Sequence, residues 1–355
     1  MKRKWLLVVM MCVFMVVASA CNSSSTSSSK SNGGESKGGQ GDETYEIDIY
    51  TFSNGSSTYL FGVALAELIN SNSSWLKANA LESPGTFQNT QLVMSDENKR
   101  KNTIGVMAIE EAAAGFPPFK EPYDGIRALA SFGLNFNAFV SIDPDVKTLK
   151  DLEGKVVGIG TPPSAVRVEL PKLVLEKMGI KPAKYENLAI GSDIQALKDG
   201  KVDAILNGSF ATDPSGAKWA SNPAMTELGA TDKINYLSFD TKAMKEAIKE
   251  LDELGGEPLE IPAGALGKDQ TDPYVVQATM VGWYADKELP DRVAKEIVRI
   301  MAENAESFKD VHPTGAYISP ETMAMLGLDK SLIHPGALEY YEEKSIDVTK
   351  SPFMK

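Results

Sequence analysis

The chain has 355 residues, 43% of them hydrophobic, and its formal net charge at pH 7 is −12. This length and apolar content predict a folded protein of two domains that can bury a large core. The acidic balance argues against nucleic acid as a partner and against electrostatic adhesion to anionic lipid, although a buried site for an anion is compatible with it.

The N-terminus has the pattern of a bacterial export signal. The basic residues Lys2–Lys4 precede an apolar, uncharged run from Trp5 to Val17, and the small residues Ala18–Ala20 lead to Cys21. A membrane-spanning helix needs about 20 apolar residues, so an uncleaved membrane anchor is the weaker alternative. The sequence therefore predicts a signal peptide over residues 1–20 that is removed before Cys21.

Cys21 is predicted to carry lipid, because a cysteine directly after the cleavage point distinguishes a lipoprotein from a plainly secreted protein. Several acyl chains on one residue suffice for stable anchoring, whereas a single chain is marginal. The other cysteine, Cys12, lies inside the signal peptide, so the mature chain would have no thiol for a disulfide or a thiolate metal site. We expect an exported protein anchored to the outer face of the cytoplasmic membrane, and such anchoring favours a cell with a single membrane.

Residues 21–44 are predicted to form a flexible tether. They are rich in serine and glycine and carry almost no apolar side chain, so they cannot offset the entropy lost on ordering. A segment of this composition has a root-mean-square reach of roughly 25–30 Å. It would hold a folded body clear of the lipid headgroups while leaving it free to turn.

Strands and helices alternate from residue 45 onward. Tyr45–Tyr50 has the alternation of a strand, and residues 60–69 place leucine, alanine and isoleucine on one face of a helix. A short helix is predicted at Phe87–Met94. Further strands are predicted at residues 78–82, 103–108, 126–132 and 137–142.

A second unit is predicted to begin near residue 141. Its strands and helices are expected at residues 156–160, 164–178, 194–198 and 202–206. The long strand-like run Tyr274–Ala285 is interpreted as the return of the chain to the first lobe, and the helical segment Pro290–Phe308 follows it.

This alternation predicts an α/β fold with mostly parallel sheets. Lobe 1 would comprise residues 45–140 and 275–355, and lobe 2 would comprise residues 141–274. Ligand sites favour domain interfaces and the carboxyl ends of parallel strands, so a ligand cleft is expected between the two lobes.

Four motifs of the mature chain are Leu149–Gly160, Ala196–Ala204, Ile261–Gly264 and Leu332–Tyr341. They resemble motifs of the TAXI class of solute receptors, the extracytoplasmic binding subunits of certain TRAP transporters. Leu149–Gly160 is similar to the family's DLKGKxVxxG and Ala196–Ala204 to its ALKDGKIDA, both widely shared among type II periplasmic-binding folds. Ile261–Gly264 matches IPAG, and Leu332–Tyr341 matches the C-terminal xxHPGAxxYY, which together are more specific. The resemblance covers nearly all of the mature body and implies a two-lobed, periplasmic-binding-protein-like fold of type II.

The loops expected to face the ligand differ from the family pattern. Phe52–Tyr59 stands where the family has GGTGGxYY, Met107–Glu110 where it has VQSD, and Pro163–Arg167 where it has PGSGT. The resemblance implies a small polar or anionic ligand, with dicarboxylates and amino acids such as 2-oxoglutarate and glutamate as first candidates. The glycine-poor first loop, with Phe52 and Phe87 as additional aromatic residues, would also suit a bulkier compound.

A serine-rich loop between the first strand and the first helix is the first candidate ligand site. Backbone N–H groups at a helix start, with hydroxyls beside them, suit a carboxylate, whereas plain N-capping is the alternative. In the next such turn, Thr86, Phe87 and Asn89 are candidates, and capping by Thr86 is the alternative there. The candidates in the first loop are Ser53, Asn54, Gly55, Ser56, Ser57 and Tyr59.

The loop after residue 160 supports the same interpretation from the second lobe. Thr161 and Ser164 precede a helix that Ser164 can cap. Arg167 lies about one turn into that helix and could grip a carboxylate bidentately, whereas a surface arginine paired with Glu169 is the alternative.

Three further residues are candidates on the cleft side of predicted strands. Glu110 would favour an amine on the ligand if it lines the pocket, and a solvated glutamate at a helix start is the alternative. Asn207 and Phe210 follow a buried strand and offer amide and aromatic contacts.

The sequence favours a non-enzymatic solute receptor over an enzyme. The two histidines, His312 and His334, each precede proline, and the motif around His334 indicates packing or capping. No catalytic triad, zinc-ligand spacing, phosphate-loop lysine or dinucleotide glycine motif can be assembled. We expect a monomer without cofactor or metal that delivers its solute to TRAP membrane subunits. The alternatives are an ABC-importer receptor, a receptor for a membrane sensor and an extracellular enzyme.

Overall fold

The computed structural model describes residues 44–54, 56–189, 191–211, 219, 223–351 and 353. The predicted signal peptide, Cys21 and nearly all of the predicted tether lie outside these residues. The described residues belong to one compact unit. Within them, no helix combines the length and the apolar character that crossing a membrane requires.

The described residues form ten strands that join in one mixed sheet. The strands are β1 (Tyr45–Tyr50), β2 (Leu76–Leu81), β3 (Thr103–Gly105), β4 (Ile126–Ser141), β5 (Val156–Ile159), β6 (Lys184–Asn187), β7 (Ala204–Ala211), β8 (Asn235–Leu237), β9 (Glu257–Ile261) and β10 (Tyr274–Asp286). Their order is β2-β1-β3-β10-β4-β7-β5-β6, with β8 beside β4 and β9 beside β10. Parallel pairs lie at both ends of the sheet, and the long central strands β4 and β10 pair antiparallel with each other.

The helices pack on this sheet. They are α1 (Ser57–Asn72), α2 (Thr86–Ser95), α3 (Glu97–Asn102), α4 (Ile109–Ala114), α5 (Leu170–Lys177), α6 (Asp193–Lys198), α7 (Pro223–Thr231), α8 (Thr241–Glu250), α9 (Asp291–Glu303), α10 (Pro320–Met323) and α11 (Pro335–Glu343). A turn of π-helix, Ala165–Glu169, precedes α5. Short 3₁₀ segments occur at Leu149–Leu152, Ala305–Asp310, Pro313–Tyr317 and Lys330–Leu332.

Local sequence explains where several of these helices begin. The Ser56 hydroxyl accepts a hydrogen bond from the N–H of Tyr59 and so caps α1. His334 is fully buried and caps α11 by accepting a hydrogen bond from the N–H of Gly336, which confirms its predicted role in packing and capping. Leu60, predicted on the buried face of the first helix, is 36% exposed, and the neighbouring Phe61 faces the core instead.

Two large hydrophobic cores flank the middle of the sheet. The first contains side chains of β1, α1 and α9, and it includes Ile126–Phe132 of β4 and Trp283–Ala285 of β10. The second contains side chains of β5, α5 and α8, together with residues of Leu134–Phe139 and Tyr274–Ala278 from the same two strands. The predicted α/β, two-lobed fold is thereby confirmed, with β4 and β10 contributing to both lobes. The predicted lobe boundaries, 140/141 and 274/275, stay predictions.

The two strands predicted at residues 126–132 and 137–142 are one continuous strand, β4, of 16 residues. The prediction was wrong because Gly133 and Asn135 interrupt the apolar pattern between them. Both residues are half-buried within β4, where they pair with β10, rather than forming a turn.

Candidate functional site

A cleft of about 630 Å³ is lined by residues that belong to, or lie beside, both cores. Its floor is the middle of the two shared strands, with Asn135 from β4 and residues 278–282 from β10. Asn135 and residues 279–281 are half-buried, whereas most other positions of the same strands are buried. This volume is that of a site for a small molecule.

The first wall is apolar and acidic. Phe52, Phe87 and Met107 supply its apolar surface, and Phe87 packs edge-to-face on Phe119 with ring centroids 5.8 Å apart. Gly85 allows Phe52 to approach, because a Cβ at this position would lie 2.9 Å from the Phe52 ring, and its φ of +137° is one that other residues rarely adopt. The wall thus presents aromatic faces at the start of α2.

Four glutamates face the cleft. Glu110 and Glu111 come from α4, and Glu253 and Glu257 come from the turn into β9. None of them forms an ion pair with a described residue. Burial, with smaller contributions from Glu111 and Glu257, raises the pKa of Glu110 to about 7. Burial likewise raises the pKa of Glu111 and of Glu257.

These carboxylates lie close enough to influence one another. Glu257, at the start of β9, contributes to the raised pKa of Glu110 in α4. The two carboxyl groups therefore interact electrostatically. Tyr284, on the floor, has its pKa raised by burial and then by Glu110 and Glu111. A positive charge placed among these groups would relieve their repulsion.

The second wall is built around Arg167. The Ser164 hydroxyl accepts a hydrogen bond from the N–H of Arg167 and so caps the π-helical turn, as predicted for the helix in this place. Gly160 and Gly208 leave room for the Arg167 side chain. A Cβ at position 160 would lie 2.6 Å from an Arg167 atom, and one at position 208 would lie 2.7 Å from another. Thr161–Pro163 completes this wall.

The guanidinium of Arg167 is held by neutral acceptors. Its Nη1 donates to Oδ1 of Asn137 at 3.4 Å, and its Nη2 donates to the carbonyl of Leu206 at 3.5 Å. Burial lowers the pKa of Arg167, and Asp193 opposes that shift. No carboxylate of the described residues lies within ion-pair distance, so most of its donors stay available to a ligand.

The structure brings six of the predicted ligand residues together in the cleft. These are Thr86, Phe87, Glu110, Thr161, Ser164 and Arg167. They come from both walls, so residues far apart in sequence meet across one cavity. Their contact with a ligand stays a prediction.

The other predicted residues lie elsewhere. Ser53 and Asn54 are exposed and do not line the cleft, and Ser56, Ser57 and Tyr59 form the cap and first turn of α1. Gly55 and the side chain of Phe210 lie outside the described residues.

Two predicted amides are used inside the protein. Asn89 is buried, and its Nδ2 donates to backbone carbonyls of Thr51 and Val106. Asn207 is buried and donates to Asp193. These contacts tie β1 to β3 and β7 to α6, so both amides stabilise the scaffold beside the cleft.

Sequence reasoning missed several residues that line the cleft. They include Glu111, Asn135, Glu253, Glu257, Thr279, Met280 and Tyr284. Asn135 and Thr279 carried a weak signal, because each is a polar residue in a mostly apolar strand, but Asn137 and Gln277 share that pattern and are buried. The glutamates carried none, since an isolated glutamate usually lies on a solvated surface. Within the described ranges, no group of three or more His, Cys, Asp or Glu side chains is arranged to hold a metal ion.

Comparison with solved structures found matches of low sequence identity. A TctC solute-binding protein from Polaromonas has a TM-score of 0.49 and 14% identity, over 78% of this chain and 90% of that one. MatC from Rhodopseudomonas palustris, solved with malate, has a TM-score of 0.45 and 12% identity, over 77% and 89%. A Xanthomonas citri protein bound to ATP has a TM-score of 0.47 and 10% identity, over 85% and 96%.

Sequence comparison gives the family. No curated protein is similar enough in sequence to count as a relative. A family model, however, matches residues 49–345, which include nearly all of the described sheet and both walls of the cleft. The chain belongs to the NMT1-like family.

Proposed function

We propose that this protein is an extracytoplasmic solute receptor that captures a small molecule in the cleft and delivers it to a membrane transporter. The observation that carries the proposal is the pair of oppositely charged walls. Arg167 on one side and Glu110, Glu111 and Glu257 on the other have no ion-pair partners among the described residues. These charged side chains are half-buried, and a ligand that pairs with them would offset the cost of desolvating them.

The ligand that fits both walls has a carboxylate and an amine. A carboxylate would be gripped by the guanidinium of Arg167, and a protonated amine would lie among the glutamates. Phe52, Phe87 and Met107 would contact an apolar part between them. Of the two ligand classes that the sequence suggests, an amino acid such as glutamate therefore fits better than 2-oxoglutarate, which has no amine.

For delivery, the transporter must distinguish the solute-bound receptor from the empty receptor. A solute that contacts both walls binds a closed arrangement more tightly than an open one, and so shifts the population towards closure. The motifs shared with TAXI receptors favour TRAP membrane subunits as the partner that recognises the closed state. The receptor would act as a monomer.

Isothermal titration of the purified protein with L-glutamate and 2-oxoglutarate tests the ligand class, because these compounds share a carbon skeleton and differ in the amine. We expect tighter binding of L-glutamate. Arg167→Met should weaken that binding by about 10- to 100-fold, the effect of removing a charge-assisted hydrogen bond. Arg127→Met, whose arginine lies outside the cleft lining, is the matched control.

The same titration with other amino acids and dicarboxylates completes the test. No binding of any amino acid or dicarboxylate would contradict the proposed ligand class. Preference for 2-oxoglutarate over L-glutamate would contradict the role given to the glutamates while leaving the role of Arg167 intact.

We also propose that lipid on Cys21 holds the receptor at the outer face of the cytoplasmic membrane. Support comes from the signal-peptide pattern and the serine- and glycine-rich residues 21–44. Cys21→Ser should move the protein from the membrane fraction to the soluble fraction while its affinity for solute is unchanged. A Cys21→Ser protein that stays in the membrane fraction would refute the anchor.

A further inference from the structure

A short chain of hydrogen bonds runs next to the floor of the cleft, through two buried side chains that do not line it. Asn137 of β4 and Gln277 of β10 are opposite each other in the antiparallel pair and are 0% and 1% exposed. Nδ2 of Asn137 donates to Oε1 of Gln277 at 2.7 Å, and Nε2 of Gln277 donates to the carbonyl of Gly255 at 2.7 Å. At its other end, Oδ1 of Asn137 accepts from Arg167.

The direction of this chain is fixed by its two ends. The carbonyl of Gly255 can only accept, so Gln277 must turn its amide nitrogen towards it. Its oxygen is then left for the amide nitrogen of Asn137, which in turn directs the oxygen of Asn137 to Arg167. Arg167 can only donate, so each donor meets an acceptor along the whole chain.

Two glycines leave room for this chain of hydrogen bonds. Gly208 is opposite Asn137 in β7, and a Cβ there would lie 2.7 Å from Nη1 of Arg167 and 2.9 Å from Oδ1 of Asn137. Gly256 has a φ of +77°, and a Cβ there would lie 2.5 Å from Nε2 of Gln277. Gly256 directly precedes Glu257, the first residue of β9. The hydrogen bonds therefore connect Arg167 to the segment that leads into a cleft carboxylate.

We infer that Asn137 and Gln277 are positioning residues, which hold the Arg167 guanidinium and the Gly255–Glu257 turn in a fixed relation across the cleft floor. This inference rests on the proposed function for its consequence in binding. The amide of Asn137 also determines specificity, because it holds Arg167 with an acceptor that carries no charge. A carboxylate at position 137 would compete with the carboxylate of the solute for the guanidinium.

The arrangement is tested first without any ligand. Nuclear magnetic resonance of the arginine Nε–H groups, with Arg167 assigned by Arg167→Lys, reports how ordered the guanidinium is. We expect the Arg167 signal to change from rigid to mobile in Gln277→Met and in Asn137→Ala. Two variants are used so that one that fails to fold does not remove the test.

Gln270→Met is the matched control. Gln270 is also buried, and its Nε2 donates to backbone carbonyls of Ile261, Pro262 and Asp272 without reaching Arg167. A general loss of stability would affect all three variants alike, whereas loss of positioning affects only the first two. An Arg167 signal that stays rigid in both Gln277→Met and Asn137→Ala would overturn the inference.

The specificity part is tested with L-glutamate as the probe. Asn137→Asp should keep the Arg167 signal rigid, because the new carboxylate forms an ion pair, while the affinity for L-glutamate falls by about 10-fold or more. Unchanged affinity in Asn137→Asp would overturn the specificity claim. If the unsubstituted protein does not bind L-glutamate, the proposed ligand is wrong, and the ligand-free resonance experiment still decides the positioning claim.

Discussion

The two walls of the cleft differ in how their charges are supported. Arg167 is fixed by a capped turn, two glycines and a buried amide, and it belongs to the side of the second large core. Phe87 and Phe119 on the first wall pack in a small separate cluster with Ala108 and Ala112. The nearby Glu110 is desolvated and lies near two other glutamates, and it forms no ion pair with a residue that the structure describes. One wall therefore has a rigid charge, and the other has a charge that can change with pH.

The largest effect is expected at Glu110. Its pKa is raised from 4.5 to about 7 in the folded protein, so between these pH values the folded state binds more protons than the unfolded chain. The free energy of unfolding then falls as pH rises through this window. Glu110→Gln removes the part of this fall that Glu110 causes, and its stability relative to the unsubstituted protein should rise by up to about 3 kcal/mol across the window.

Urea unfolding of both proteins from about pH 4 to about pH 8 measures this difference. The value is an upper bound, because the cleft admits water that solvates the carboxylate. Glu121→Gln, a change at an exposed glutamate, is the control and should leave the pH profile parallel to that of the unsubstituted protein. Parallel profiles for Glu110→Gln would mean that the first wall is as well solvated as the outer surface.

A smaller effect is expected on the second wall from Gly208→Ala. The new Cβ would displace Arg167 and Asn137, and such overpacking costs about 2 kcal/mol. The variant should also lose the rigid Arg167 resonance. Gly229→Ala in α7 is the control, since its Cβ meets only the end of the Ile234 side chain at 3.3 Å and alanine favours a helix. Equal stability of the two variants would show that the Arg167 slot is not tightly packed.

The smallest effect concerns the aromatic pair on the first wall. A double-mutant cycle of Phe87→Leu and Phe119→Leu, measured by thermal unfolding, should give a coupling of about 1 kcal/mol. Phe139 lies in the second core, so a cycle of Phe87→Leu with Phe139→Leu should give none. A coupling of similar size in both cycles would remove the distinction between the small cluster and the large core.

Much of the scaffold could be predicted from sequence, because hydrophobic periodicity and turn-forming residues determine strands and helices locally. β1 was placed residue for residue, and α2 and β10 were found within a residue or two. β4 was divided in two because Asn135 and Gly133 look like a turn when their contacts are unknown. The pairing with β10, which lies far along the chain, is what keeps this segment extended.

The site could be predicted only in part, because a cleft brings together residues that no local pattern connects. Arg167 and Ser164 were found since they follow a strand and start a helix. Glu257 was missed because its importance comes from its position opposite Glu110, which sequence spacing does not show. Ser53 and Asn54 are exposed outside the cleft lining, beside the Ser56 cap of α1, and their contact with a ligand stays a prediction.

The long strands β4 and β10 have a mechanical consequence. Because each runs through both cores, rotation of one core against the other has to bend or twist their middle segments. β10 is already irregular there, with register shifts at Val281/Gly282 and Trp283/Tyr284. A solute resting on Asn135 and Thr279 would touch the very segments that deform. The same few residues therefore influence both how easily the sheet deforms and how the cleft holds a solute.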